Sequence, residues 1–155
     1  MLNPVTHASS ADAVAQYQVE PYVVVADIYS AAQHLGRGGW TWYSGSSGWM
    51  LRITIESVLG CTLDGGRALR VRPRIPDAWD GFKLTYRLPD RRTVYRISVE
   101  NPEHCAAAVV ACTLDGAIVP VDDGSARVVL ATDGAEHQVF VRLGAATAAP
   151  SASKK

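Results

Sequence analysis

Residues 68–76 read ALRVRPRIP, an alternation of apolar and basic side chains. Period-two spacing sets Leu69 and Val71 on one face and Arg70 and Arg72 on the other, as in a half-buried strand with one wet side. The same rhythm returns in FKLTYRL (82–88), TVYRISVEN (93–101), ARVVLA (126–131) and HQVFVRLG (137–144). Asp64-Gly65, Asp115-Gly116, Asp123-Gly124 and Asp133-Gly134 punctuate these runs, and Asp-Gly is the dipeptide that tight hairpin turns favour. About seven short strands joined in this way predict an antiparallel β-sandwich over residues 61–144.

Upstream the rhythm changes. Ser9 or Ser10 is placed to cap a short helix over 11–18, with Asp12 near its positive end. Pro21 suits a first helical turn, and residues 21–32 read as a helix apolar on most faces. Tyr22–Val25 is also β-prone, but the length of the apolar run and its alanines favour helix. The stretch HLGRGGWTWYSGSSGW (34–49) is broken by glycines and reads as an irregular loop. Ser44, Ser46 or Ser47 can then cap a helix over 49–59, which Gly60 ends. The fold class expected is therefore α+β, with helices in residues 1–60, the sandwich in 61–144 and a small, polar, disordered tail in 145–155. The two apolar helices need a larger helical structure to pack against.

The 155 residues carry 15 basic and 15 acidic side chains. Nucleic-acid and anionic-lipid grips need clustered positive charge, so neither partner is expected. Residues 1–60 hold only Arg37 and Arg52 against Asp12, Glu20, Asp27 and Glu56. No apolar run reaches the roughly 20 residues of a membrane span, and the opening lacks a signal-peptide pattern. Cys61, Cys105 and Cys112 form no CxxC pair, which argues against a disulfide framework or a zinc knuckle. His104 and His137 have no partners at ligand spacing, so no metal site and no cofactor are expected. These features describe a cytoplasmic protein.

The loop 34–47 is the most site-like segment. A Ser-Gly-Ser sequence opening a helix offers free N–H groups, a hydroxyl and the positive end of the helix dipole, which together suit an anion. Arg37 adds a guanidinium that matches phosphate, and His34 a titratable imidazole. Trp40 and Trp42 supply flat apolar surfaces on which sugar faces stack. The bland alternatives are an N-cap serine, surface histidine and arginine, and core tryptophans. Gly45 and Gly48 do not form a phosphate-binding Walker loop, because the Gly-Lys-Ser/Thr ending is absent. Arg70, Arg72, Arg74, Arg87, Arg91, Arg92 and Arg96 are interspersed with acids and read as a solvated face. Glu20, Asp27 and Glu56 are carboxylate candidates by elimination only, and a bracing role suits Glu20 better.

Four segments, LNPVTHA (2–8), YQVEPYVVVADIYS (17–30), HLGRGGWTWYSGSSGWM (34–50) and LRVRPRIPDAWDGFKLTYR (69–87), occur in an order that resembles the C-terminal part of glycoside hydrolase family 94. The nearest branch is that of cyclic β-1,2-glucan synthases and β-1,2-glucan phosphorylases, with cellobiose and chitobiose phosphorylases more distant. The resemblance runs from Leu2 to Gly144. It implies the last helices of an incomplete (α/α)6 barrel followed by the β-sandwich. It also implies inverting phosphorolysis or glycosyl transfer on a β-glucan or oligosaccharide, with inorganic phosphate as co-substrate. In the family a Thr-Gly pair opening a barrel helix holds phosphate, and Ser44 and Gly45 match it, with serine keeping the hydroxyl and losing the methyl. The family's general-acid Asp lies upstream of the matched region. The expectation is a chain with no catalytic residue of its own, inactive in isolation and completed by an upstream barrel segment or partner chain. The alternatives are a non-catalytic carbohydrate-binding or interaction module, or a truncated remnant. The resemblance leaves open attachment of the parent enzyme to the inner membrane.

Overall fold

The structure is a computed structural model that describes residues 3–20, 22–42 and 44–145. The chain divides into two compact units, Met1–Ile53 and Thr54–Lys155. The tail reading falls on 146–155 and the Pro21 helix start on residue 21, both outside the described residues.

In the first unit, Asn3 accepts the Val5 N–H at 3.1 Å and opens a 3-10 turn over Pro4–Ala8. Helix α1 (Ala11–Tyr17) begins where Ser10 accepts the Ala13 N–H at 3.2 Å, as its sequence predicts. It stops at Gln18, whose left-handed backbone (φ 56°) returns its N–H to the Val14 carbonyl. Tyr17 is buried at the end of α1 and stacks on His7 with ring centroids 4.1 Å apart.

The helix expected over 21–32 does not form. Residues 22–31 run as turn, bend and extended chain with strand β1 (Asp27–Ile28), before a 3-10 turn over Ala32–His34. Strand β2 (Gly38–Gly39) pairs antiparallel with β1, and the Ala26 N–H donates to the Trp40 carbonyl at 3.3 Å. The β-branched run Val23–Val25 favours this extended path, and the glycine pair supplies the cross-strand partner that helical reasoning left out. A Cβ on Gly38 would sit 2.6 Å from Val19 Cγ2 and 2.9 Å from Val25 Cγ1, so this close approach requires glycine. Helix α2 (Ser44–Ile53) starts earlier than expected, with the serines inside its first turn rather than before it.

The second unit opens with a π-helical turn, Thr54–Val58, in which the Leu59 N–H donates to the Thr54 carbonyl at 2.8 Å. The expected helix over 49–59 is therefore α-helical only to Ile53. Nine strands follow among the described residues. They are β3 (Cys61–Asp64), β4 (Ala68–Val71), β5 (Gly81–Arg87), β6 (Val94–Glu100), β7 (Ala108–Leu114), β8 (Ala117–Ile118), β9 (Val121–Asp122), β10 (Ser125–Val129) and β11 (Glu136–Gly144). They form a four-stranded sheet, β3-β4-β10-β9, and a five-stranded sheet, β5-β6-β11-β7-β8. Leu69, Val71, Ala126 and Val128 of the first sheet share one core with Tyr95, Ile97, Val99, Val109, Val139, Val141 and Leu143 of the second. Each such fully buried aliphatic side chain contributes about 1.5–3 kcal/mol by leaving water.

One sheet departs from the all-antiparallel expectation. β11 lies antiparallel to β7 but parallel to β6, with Val139 opposite Ile97 and Val141 opposite Val99. The chain leaves the five-stranded sheet after β8, builds β9 and β10 in the other sheet, and returns between β6 and β7. Alternation reports which side of a strand is buried, not which way its neighbour runs. Asp115-Gly116 and Asp123-Gly124 are two-residue turns with positive φ at both positions, as the Asp-Gly reading predicts. Asp133-Gly134 instead connects strands in different sheets. The arginines are distributed over both sheets, and several are ion-paired, including Arg72 to Asp123, Arg96 to Glu136 and Arg127 to Asp64.

Candidate functional site

The loop after β1 is held by its own backbone. The Tyr29 N–H donates to the Arg37 carbonyl and the Gly36 N–H to the Tyr29 carbonyl, both at 2.9 Å. The 3-10 turn over Ala32–His34 fills the space between, and Gln16 Nε2 donates to the Leu35 carbonyl at 3.1 Å. This arrangement leaves His34 and Arg37 exposed. Both line one hollow of about 410 Å³, together with Gln16, Gln18 and Leu35.

Trp40 and Trp42 follow in the left-handed region, with φ of 56° and 60°. For a bulky side chain this backbone costs about 1–3 kcal/mol. It leaves both indoles largely exposed, at 64% and 69%. Trp42 is steadied from one side, since its Nε1–H donates to Glu20 at 3.3 Å and its ring meets Tyr22 edge-on. Glu20 thus braces the loop. The tryptophans are surface groups here, not core.

Ser44 and Gly45 form the first turn of α2, where backbone N–H groups have no intrahelical acceptor and the helix dipole is positive. They line a second, shallower hollow of about 210 Å³ with Gly48, Trp49 and Arg52. A Cβ at Gly45 or Gly48 would meet nothing within 4 Å, so this helix face is open. The Ser46 hydroxyl points elsewhere and donates to the Val24 carbonyl at 3.3 Å. Arg52 lies over the Trp49 ring, 5.6 Å from its centroid.

The residues expected to act together therefore fall into two hollows. Ser44 and Gly45 share one with Arg52 and Trp49, while His34 and Arg37 line the other. Arg52 was not singled out by sequence reasoning. Its signal is the spacing 44, 48, 52, which puts Ser44, Gly48 and Arg52 on one helix face. The nearest cation to the serine along this face is thus Arg52, not Arg37.

A second constellation escaped sequence reasoning altogether. His137 Nδ1 is 2.7 Å from an Asp115 carboxylate oxygen and its Nε2 is 3.2 Å from that of Asp133. The ring stacks on Tyr95 at 4.7 Å and the side chain is only 13% exposed. Hydrogen bonding to the Asp115 carboxylate, then to that of Asp133, raises the imidazole pKa above its ordinary value. Both carboxylates come from turns, and nothing in the local sequence around residue 137 announces the Asp115 partner.

Among the described residues no helix is long and apolar enough to cross a membrane. Residues 1–60 match the glycosyl hydrolase 94 superfamily, catalytic domain. The chain is 46% identical over 110 residues to the cyclic beta-(1,2)-glucan synthase NdvB of Rhizobium meliloti (strain 1021), covering 71% of this chain and 4% of that protein. It is 34% identical over 134 residues to an N,N'-diacetylchitobiose phosphorylase of Vibrio proteolyticus, covering 86% of this chain and 16% of that protein. A solabiose phosphorylase of Paenibacillus borealis is 28% identical over 100 residues, covering 63% of this chain and 12% of that protein. The chain thus spans a small part of the length of each relative. The match over residues 1–60 and these relatives together make the chain similar to members of the glycosyl hydrolase 94 superfamily.

Proposed function

We propose that the chain contributes the phosphate-holding end of an enzyme that acts on β-glucans by inverting phosphorolysis or glycosyl transfer. Residues 1–60 would be the last helices of an (α/α)6 barrel and residues 61–144 its C-terminal β-domain. The observation that carries this reading is the open first turn of α2. There the Ser44 hydroxyl and the N–H groups around Gly45 share a hollow with the Arg52 guanidinium. These are the donors a phosphate dianion needs.

In phosphorolysis an oxygen of the held phosphate forms a bond to the anomeric carbon as the glycosidic C–O bond breaks on the opposite face. The leaving oxygen takes a proton from a general acid, which an upstream barrel segment or partner chain would supply. The exposed indoles of Trp40 and Trp42 suit stacking against glucose rings. Inorganic phosphate is then a co-substrate, and no other cofactor is required.

The test is reconstitution. The chain is mixed with an upstream barrel segment of a superfamily relative, linear β-1,2-glucan and inorganic phosphate, and glucose 1-phosphate is measured. Release that needs both polypeptides supports the reading. No release from any such pairing, with both partners folded, overturns it.

A further inference from the structure

The outward face of the five-stranded sheet carries a second arrangement suited to a ligand. β11 is its central strand, and along it Val139 and Val141 are buried at 1% and 2% while Phe140 between them is 51% exposed. An aromatic ring left in water at the middle of a sheet forgoes the burial its strand neighbours obtain.

The register sets polar partners on both sides of the ring. One row crosses all five strands: Lys83 is opposite Ser98, Ser98 opposite Phe140, Phe140 opposite Thr113, and Thr113 opposite Ile118. Neighbouring strands lie about 4.8 Å apart, so the two hydroxyl-bearing residues flank the ring at roughly the width of a pyranose. A hollow of about 400 Å³, within the usual range for small-molecule sites, is lined by Phe140, Lys83, Ser98, Glu100 and Asp80 among others.

Charge narrows the choice of ligand. Arg96 is paired with Glu136 and Arg142 with Glu103, each at 3.1 Å, so the face presents no field of one sign to a charged partner. Thr113 separates the ring from the exposed Ile118 on the edge strand, so the apolar groups of this row are not contiguous as in the core of a protein interface. The ring with its hydroxyl neighbours matches a neutral sugar, which stacks its axial C–H face on an aromatic plane and hydrogen bonds through its equatorial rim.

We propose that this face binds a neutral glucan-type oligosaccharide, with Phe140 as the stacking platform and Lys83, Ser98 and Glu100 as hydrogen-bonding partners. All of these residues belong to the second unit, whereas those lining the hollow at Ser44 belong to the first, and neither reading depends on the other.

The test is an amide NMR titration of the full chain with short linear β-1,2-, β-1,3- and β-1,4-linked gluco-oligosaccharides, without phosphate. The expected result is saturable shifts centred on Lys83, Ser98, Thr113 and Phe140 for at least one linkage. Phe140→Leu, which keeps an apolar side chain and removes the ring, weakens that binding at least about tenfold. Phe140→Trp retains it, and its spectrum serves as the control for folding. Shifts confined to residues 34–52 would leave the phosphate reading standing and overturn this one. So would Phe140→Leu binding as tightly as the parent chain, or no saturable shift with any of the three linkages.

Discussion

His137 and Asp115 are joined through Nδ1 and a carboxylate oxygen 2.7 Å apart, although 22 residues separate them. The other oxygen of Asp115 accepts the Gln138 N–H at 2.7 Å, so the β7–β8 turn is fastened to β11 by both oxygens of one side chain. Asp133 holds the opposite side of the ring and Tyr95 lies against its face.

This clamp gives the sandwich a defined pH dependence. The folded-state pKa of His137 is raised above its ordinary 6.5, so its contribution is complete below that value and is lost as pH rises through the folded pKa. Asp115 and Asp133 are shifted down from 3.8, Asp115 first by the hydrogen bond from His137 and Asp133 first by that from the Ala135 N–H. Their contribution is present above 3.8 and lost as pH falls through their folded pKa values. The melting temperature of the sandwich therefore declines as pH is raised from 6 to 8. In His137→Gln that slope is reduced, and an unchanged slope in the variant removes His137 as its source.

Thr93 is fully buried and ties three segments together. Its hydroxyl donates to Asp90 at 2.6 Å and accepts the Gly134 N–H at 2.9 Å and the Asp133 N–H at 3.2 Å. Thr93→Val keeps the shape and strands these groups, at a cost of about 1–3 kcal/mol. Urea unfolding should show a lower midpoint with an unchanged slope, and Thr93→Ser should recover most of the loss.

Two glycines in the first unit should respond oppositely to alanine. Gly38→Ala drives a methyl into Val19 and Val25 and destabilises the unit by about 1–3 kcal/mol. Gly48→Ala meets open space inside α2 and stabilises the helix by about 0.8–1 kcal/mol. Hydrogen exchange of the amides in residues 17–39 and 44–53 reads both effects.

In a reconstituted enzyme, Ser44→Ala and Arg52→Ala should each weaken phosphate use. A hydrogen bond to a charged group is worth about 1.5–3 kcal/mol, or roughly tenfold to 150-fold in KM for phosphate. Ser44→Thr keeps the hydroxyl and should preserve activity. Arg37→Ala, whose side chain lines the other hollow, should change KM for phosphate less than Arg52→Ala does.

The three thiols should separate by reactivity. Burial pushes Cys61 and Cys112 up to about 11, while Cys105 is partly exposed. Iodoacetamide at neutral pH should label Cys105 first, with Cys61 and Cys112 labelled only after urea is added. Mass spectrometry of the peptides decides the order.

The sandwich was legible because its strands bury one face each, so residues such as Leu69, Val71, Val139 and Val141 fall on alternate positions. The turn chemistry was equally local, as at Asp115-Gly116. Residues 22–31 were misread because Val23–Val25 fit an apolar helix or an extended chain equally well. The deciding partners, Gly38, Gly39 and Trp40, lie more than ten residues downstream. Strand direction was hidden for a similar reason, since β6 and β11 would alternate identically in either orientation. At the candidate site, Ser44 and Gly45 could be picked out as a helix start. Arg52 became their neighbour only once the helix was known to begin at Ser44 and to keep its glycines on the open face.

The place of β11 sets an order of assembly. The last strand among the described residues is the middle strand of the five-stranded sheet. Until Glu136–Gly144 has left the ribosome, β6 and β7 have no common partner and the inner faces of Tyr95, Ile97 and Val109 stay uncovered on that side. The domain must then close in one late, non-local step, of the kind that is slow relative to hairpin formation. A nick or stop before residue 136 would not trim this sheet at its edge. It would take out its centre.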